Sequence, residues 1–163
     1  MKDIAALLDG LKRAPEVLSA FVETIPEEKL DLRRGEGFWT VAEHVCHLAQ
    51  VQPMLLERLE RFRGEEHPTF VPYIPGAGEE EPDTPFRMAI GEALAQFQVY
   101  RAKQVALLEK AGGAVWPRTA THPEYERYGC YILVRHIFLH DYWHMYRMEE
   151  LWLTRDAFLT TLA

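Results

Sequence analysis

Apolar residues in this chain recur at intervals of three and four almost throughout, which commits most of it to amphipathic helices. Residues 3 to 22 place Ile4, Leu7, Leu8, Leu11, Val17, Leu18 and Phe21 on such a pattern, with Pro15 predicting a kink or a restart. The polar segment from Pro26 to Gly37 reads as a connection. A second helix then starts at Thr40, where Glu43 completes a Thr-x-x-Glu capping box. Its apolar positions are Val41, Val45, Leu48, Val51, Leu55 and Leu59, with a kink expected at Pro53 and an end at Gly64. Residues 64 to 84 gather prolines, glycines and glutamates and read as a long surface loop, a kind that tends to be functional or mobile.

Thr84-Pro85 is expected to open a third helix, with proline at its first position, and Gly112-Gly113 to stop it. That helix carries Phe86, Ile90, Leu94, Phe97, Tyr100, Leu107 and Leu108. After a second loop, from about 114 to 123, a fourth helix rich in aromatics and histidines is expected from about Glu124 to Leu153. A short helix follows Thr154. No segment alternates with period two for long enough to predict a sheet. The expected architecture is therefore all-α: an antiparallel four-helix bundle with a short extra C-terminal helix, one domain over residues 1–163.

Composition excludes several classes. Hydrophobic residues at 48% and charged residues at 26% are ordinary for a soluble globular chain. No apolar run approaches the roughly 20 residues of a membrane helix, and the N-terminus meets charge too often for a secretory signal. A cytoplasmic location is expected. A formal net charge of -7 opposes nonspecific nucleic-acid binding. The 2 cysteines, Cys46 and Cys130, sit inside apolar patterns and make no disulfide framework, so they read as buried thiols of a reducing compartment.

Of 7 histidines, five fall on two helices. His136, His140 and His144 are spaced by four on the last helix, so successive rings lie on one face with Cβ atoms about 5–6 Å apart. Two such imidazoles can meet one ion at about 2.0–2.1 Å per nitrogen. A third from the second helix, His44 or His47, would complete a three-histidine site with positions left for water or substrate; spacing alone leaves the choice open. A di-iron carboxylate site, the rival in a helix bundle, needs Glu-x-x-His motifs that are absent here. Imidazole donors suit zinc, nickel, copper or iron, with manganese a further candidate, and zinc or nickel expected first.

Phe38-Trp39-Thr40-Val41-Ala42-Glu43, with His47-Leu48 after it, resembles the Trp-Ser/Thr-x-x-Glu-x-x-x-His-Leu signature of the DinB/YfiT-like family. His140, Asp141 and His144 resemble that family's His-Asp-x-x-His element, and Trp116 and His122-Pro123 are similar to its preceding loop. The resemblance implies a metal-binding four-helix bundle with His47, His140 and His144 as ligands and His136 as a neighbour. It also implies small-molecule chemistry with low-molecular-weight thiols, such as thiol S-transfer, and a homodimer. One departure is Arg147, where the family often has Gln.

Each remaining residue has two readings. Glu43 is a general base or the capping-box glutamate. Asp141 orients a ligand histidine or bonds elsewhere. Arg147 and Arg135 hold an anionic substrate or make surface ion pairs. Trp39, Tyr142, Trp143 and Tyr146 line a pocket or join the core. His136 makes a hydrogen bond in the core or assists the site; His67 and His122 carry no expected role. Glu43, Asp141 and Arg147 are thus the candidate catalytic residues of a thiol-dependent S-transferase or hydrolase acting on a small electrophile. The alternatives are a noncatalytic metal- or ligand-binding bundle of stress response, and a bundle whose histidines are only core residues.

Overall fold

The computed structural model describes residues 1–72 and 88–159. The elements are α1 (Ile4–Glu23), α2 (Val41–Gln50), α3 (Gln52–Gly64), α4 (Ile90–Ala111), β1 (Thr119–His122), β2 (Tyr125–Gly129), α5 (Cys130–Leu153) and α6 (Asp156–Leu159), with 3-10 turns at Glu27–Lys29 and Gly112–Ala114. α4 packs on α1, α2 and α3, and α5 packs on α1 and α2, giving a four-helix bundle in which α2 and α3 together make one column. α1 runs unbroken through Pro15. Gly10 lets α1 approach α5 closely, because a Cβ there would overlap the Phe138 ring.

The expected capping box is present: Thr40 accepts from the Glu43 amide at 3.1 Å, and Glu43 Oε2 accepts from the Thr40 amide at 2.6 Å. Pro53 does more than kink the second helix; the helix divides at Val51. Proline has no amide to give the carbonyl four residues back. That carbonyl, Ala49 O, accepts instead from Gln96 Nε2 of α4 at 3.1 Å. The adjacent Leu48 O takes the side-chain amide of Gln52 at 2.8 Å.

The third helix begins at Ile90, after extended Ala89, so Met88 and Ala89 do not continue it backwards. Thr84, Pro85 and Phe86 lie outside the described residues, as does most of the loop expected over 64 to 84. The helix ends as expected, with Gly112 at φ 62 accepting a backbone turn that L side chains disfavour.

A further departure is a two-stranded antiparallel sheet, β1–β2, in place of a loop and the first turns of the last helix. α5 therefore starts at Cys130 rather than near Glu124. Strands of 4 and 5 residues, with a register shift between Ala120 and His122, alternate too briefly to stand out from a helical pattern. Thr69 bridges to Thr121, tying the chain after α3 to the hairpin.

The buried apolar residues fall into two clusters. One joins the first half of α1, α3, the last turns of α4 and the first half of α5 (Leu11, Leu59, Leu108, Leu133). The other joins the second half of α1, α2, the start of α4 and the end of α5 (Leu18, Leu48, Phe97, Met148). Two helices thus run each way, α1 and α5 in one sense, α2–α3 and α4 in the other. Directions therefore do not alternate along the chain. Between the clusters lies a belt of buried polar side chains: His44, His47 and Gln52 from the α2–α3 column, Arg101 and Gln104 from α4, and Asp141 and His144 from α5.

Candidate metal centre

His44 and His47 come from α2, whose start the capping box fixes, so their directions about the helix axis are set three and six residues after Val41. His140 and His144 come from the middle of α5, one turn apart on the face toward α2. His140 Nε2 lies 3.2 Å from His47 Nε2 and 3.1 Å from His144 Nε2. One ring nitrogen from each of His47, His140 and His144 lies within 4.8 Å of the others. Two ligands tetrahedrally placed on one ion at 2.0–2.1 Å sit about 3.3 Å apart, so the two short spacings from His140 match a shared ion.

The three rings do not make an ordinary hydrogen-bond chain. A neutral imidazole nitrogen is either one donor or one acceptor. His140 Nε2 therefore cannot form both short contacts as hydrogen bonds, whereas a cation at the centre would accept all three lone pairs. His44 stands outside this trio and touches its back: its Nδ1 lies 2.8 Å from His144 Nδ1. With His144 carrying its proton on Nδ1 and donating to His44, its Nε2 lone pair faces the cluster, the arrangement metal-binding histidines use. The buried Nδ1 of His140 has no hydrogen-bond partner among the described residues.

Burial keeps these rings neutral, the form that binds metal. It pushes His47 down to about 3, helped by His140 and His44. It pushes His140 down to about 4, helped by Arg101, and His44 to about 4, helped by Arg147. His144 is lowered furthest, by burial and then by the other three rings.

A pH dependence follows. Unfolded histidines titrate near 6.5, so between about pH 6.5 and 4 the unfolded chain takes up protons that the folded chain refuses. Stability present above pH 6.5 is lost as pH falls, by up to about 1.4 kcal/mol per pH unit for each histidine. Asp141, raised by burial to about 6 despite Arg101, has the opposite sign, but it is one group against four. Urea melts of metal-free protein should show midpoints falling steeply from pH 6.5 to 4; a flat profile would contradict the buried neutral cluster.

The histidines open into a cavity of about 540 Å³ walled by Phe38, Trp39, Trp143 and Leu151, with Arg34 and Arg147 also on its lining. The Trp39 ring packs over His44, His47 and His144 at centroid distances of 5.4, 4.6 and 5.7 Å. Trp39 and Trp143 are 38% and 55% exposed, so the cavity is open to solvent between them. Tyr146 is 58% exposed, and Tyr142 packs its ring against Phe138 at a centroid distance of 4.8 Å.

The other candidates are distributed as follows. Both carboxylate oxygens of Glu43 are engaged away from the cavity, one by the Thr40 amide and one by Arg33 at 3.0 Å. Asp141 pairs with Arg101 rather than a ring nitrogen: Arg101 donates to its Oδ1 at 3.0 Å, the other oxygen lies 2.8 Å from the same nitrogen as an ion pair, and Arg101 also reaches Gln52 at 3.4 Å. Arg147 lines the cavity and also pairs with Glu150 at 2.6 Å. Arg135 is away from it, its guanidinium 5.6 Å from the Tyr131 ring centre. His136 packs beside Tyr125 at 5.3 Å and lines a shallower cleft that shares His140 and Trp143 with the main cavity. His67 bonds Thr119 and Thr121, and His122 packs on Tyr128. Cys46 and Cys130 are buried and free. Sequence reasoning missed Arg34, which lies in an irregular loop with no periodicity to place it, and Arg101, whose partner is on another helix.

The family model for the DinB superfamily matches residues 10–148. The structure of YfiT from Bacillus subtilis, described as a probable metal-dependent hydrolase with an unusual four-helix bundle topology, superposes with a TM-score of 0.75 at 25% identity, covering 90% of this chain and 84% of that one. No curated protein matches the chain in sequence.

Proposed function

The chain belongs to the DinB superfamily, and on that premise we propose that it is a metal-dependent enzyme, a hydrolase or a thiol S-transferase, acting on a small electrophile with His47, His140 and His144 as ligands of one divalent ion. The observation that carries this reading is the convergence of three imidazole nitrogens from α2 and α5 at the floor of an open cavity. The likeness to YfiT, described as a probable metal-dependent hydrolase, supports it. A bound divalent ion would supply Lewis acidity and acidify a water or thiol that reaches it.

The chain's own residues do the rest. His44 holds the His144 ring so that Nε2 faces inward. Trp39 lies on one side of three rings and keeps bulk water from that side. Burial keeps the imidazoles unprotonated at neutral pH, so protons do not compete for their lone pairs. Three neutral donors leave the ion's charge uncompensated, which favours Lewis-acid chemistry over a closed structural site. Glu43 and Asp141 are tied to Arg33 and Arg101, so their part is to hold α2 and α5 in place.

The test uses protein purified without a histidine tag, because nickel columns load such sites. Elemental analysis should find about one divalent ion per chain, and a panel of activated esters and epoxides, with and without bacillithiol or glutathione, should show turnover that chelation removes and metal restores. Stoichiometric metal with no turnover across the panel would favour the noncatalytic binding protein. Absence of metal would leave the histidines as core residues.

A further inference from the structure

The protein carries a formal net charge of -7, yet among the described residues the formally charged side chains that line the cavity above the histidines are two arginines, Arg34 and Arg147. They belong to separate elements: Arg34 to the loop before α2, 8% exposed, and Arg147 to α5, one turn beyond His144. The Arg34 guanidinium lies 5.4 Å from the Phe38 ring centre, which fixes it against an aromatic wall. Arg147 has a counter-ion within reach, Glu150 at 2.6 Å, with side chains 23% and 26% exposed. Such a pair is loose enough for a ligand to compete for the guanidinium. The remaining wall is apolar and aromatic: Phe38, Trp39, Trp143 and Leu151.

We propose that Arg34 and Arg147 make this cavity selective for a small molecule that carries a carboxylate on an apolar, preferably aromatic, body. Guanidinium and carboxylate match in a bidentate geometry that a neutral amide does not reproduce. The aromatic walls take the apolar body, and the imidazoles lie at the floor beside it. The inference rests on the reading of this cavity as the substrate site, and it names the class of substrate that the site selects.

The test is a calorimetric titration of phenylacetate and of its neutral isostere phenylacetamide. It is made on the tag-free protein as purified, and again after chelation, so that a carboxylate preference owed to bound metal is separated from one owed to the arginines. After chelation the wild-type protein should bind phenylacetate at least about tenfold more tightly than the amide. That preference should shrink at high salt. Arg34→Gln with Arg147→Gln should abolish it, and Arg147→Lys, which keeps the charge and loses the fork, should retain part of it. Circular dichroism checks that each variant folds; if Arg34→Gln does not, the half-buried Arg147→Gln alone carries the comparison. Equal affinity for the two probes, no binding of phenylacetate, or a preference unchanged in the arginine variants overturns the proposal. Elemental analysis judges the metal reading independently of all these outcomes.

Discussion

Replacing His140 with alanine is expected to weaken metal binding by at least about a hundredfold and to remove metal-dependent turnover with it. Loss of an outer partner of a ligand already costs about 10–100-fold, and His140 is the ring that touches both others, at 3.2 Å to His47 and 3.1 Å to His144. The matched control is His136→Ala, one turn earlier on α5, whose ring packs against Tyr125 and does not join the trio. Equilibrium dialysis followed by elemental analysis reads both variants. His136→Ala should retain wild-type stoichiometry. An His140→Ala protein that still holds one tightly bound ion would mean that the three nitrogens do not share it.

The second large effect is expected at the ion pair beneath the histidines. Arg101 and Asp141 are each 1% exposed, and their charges meet at 2.8 Å. Removing Arg101 leaves a buried carboxylate without its counter-charge, which typically costs about 3–5 kcal/mol. Arg101→Ala should therefore shift urea unfolding strongly at pH 7. As the pH is lowered toward 5 the variant's deficit relative to wild type at the same pH should narrow, since Asp141, already raised to about 6 by burial, can then take up a proton. Replacing both partners by apolar residues of similar size should cost much less than Arg101→Ala alone. Equal costs for the single and double variants would show that the pair is not the source of the effect.

These residues show which features a sequence carries openly. The capping box at Thr40 and Glu43, the glycine stop after α4, and the register of His140 with His144 are all encoded within four residues of each other, the range over which a helix determines geometry. They were legible, as was the bundle. His47 against His44 was not decided by spacing, because the two differ by less than a turn; the family motif singled out His47, and the structure places His44 behind His144 instead. What escaped depends on contacts between distant segments. The β1–β2 hairpin is too short to show a period, and its pairing is completed by Thr69 from the chain after α3. Asp141 sits between two of the clustered histidines in sequence but turns about 100° away from its neighbour, to a cation on α4 that no local pattern announces. The break at Val51 needed more than the presence of Pro53, since Pro15 leaves α1 continuous.

The polar belt between the two apolar clusters has a consequence for how such a protein can change. Substitutions at opposite ends of the bundle share no partners and should combine additively, whereas those in the belt share hydrogen bonds and charge and should not. Either end can drift with little echo in the other. A new specificity that requires altering the belt has to be negotiated with both ends at once, so diversification is easier through the walls of the cavity, at positions such as 34, 38 and 147, than through its floor.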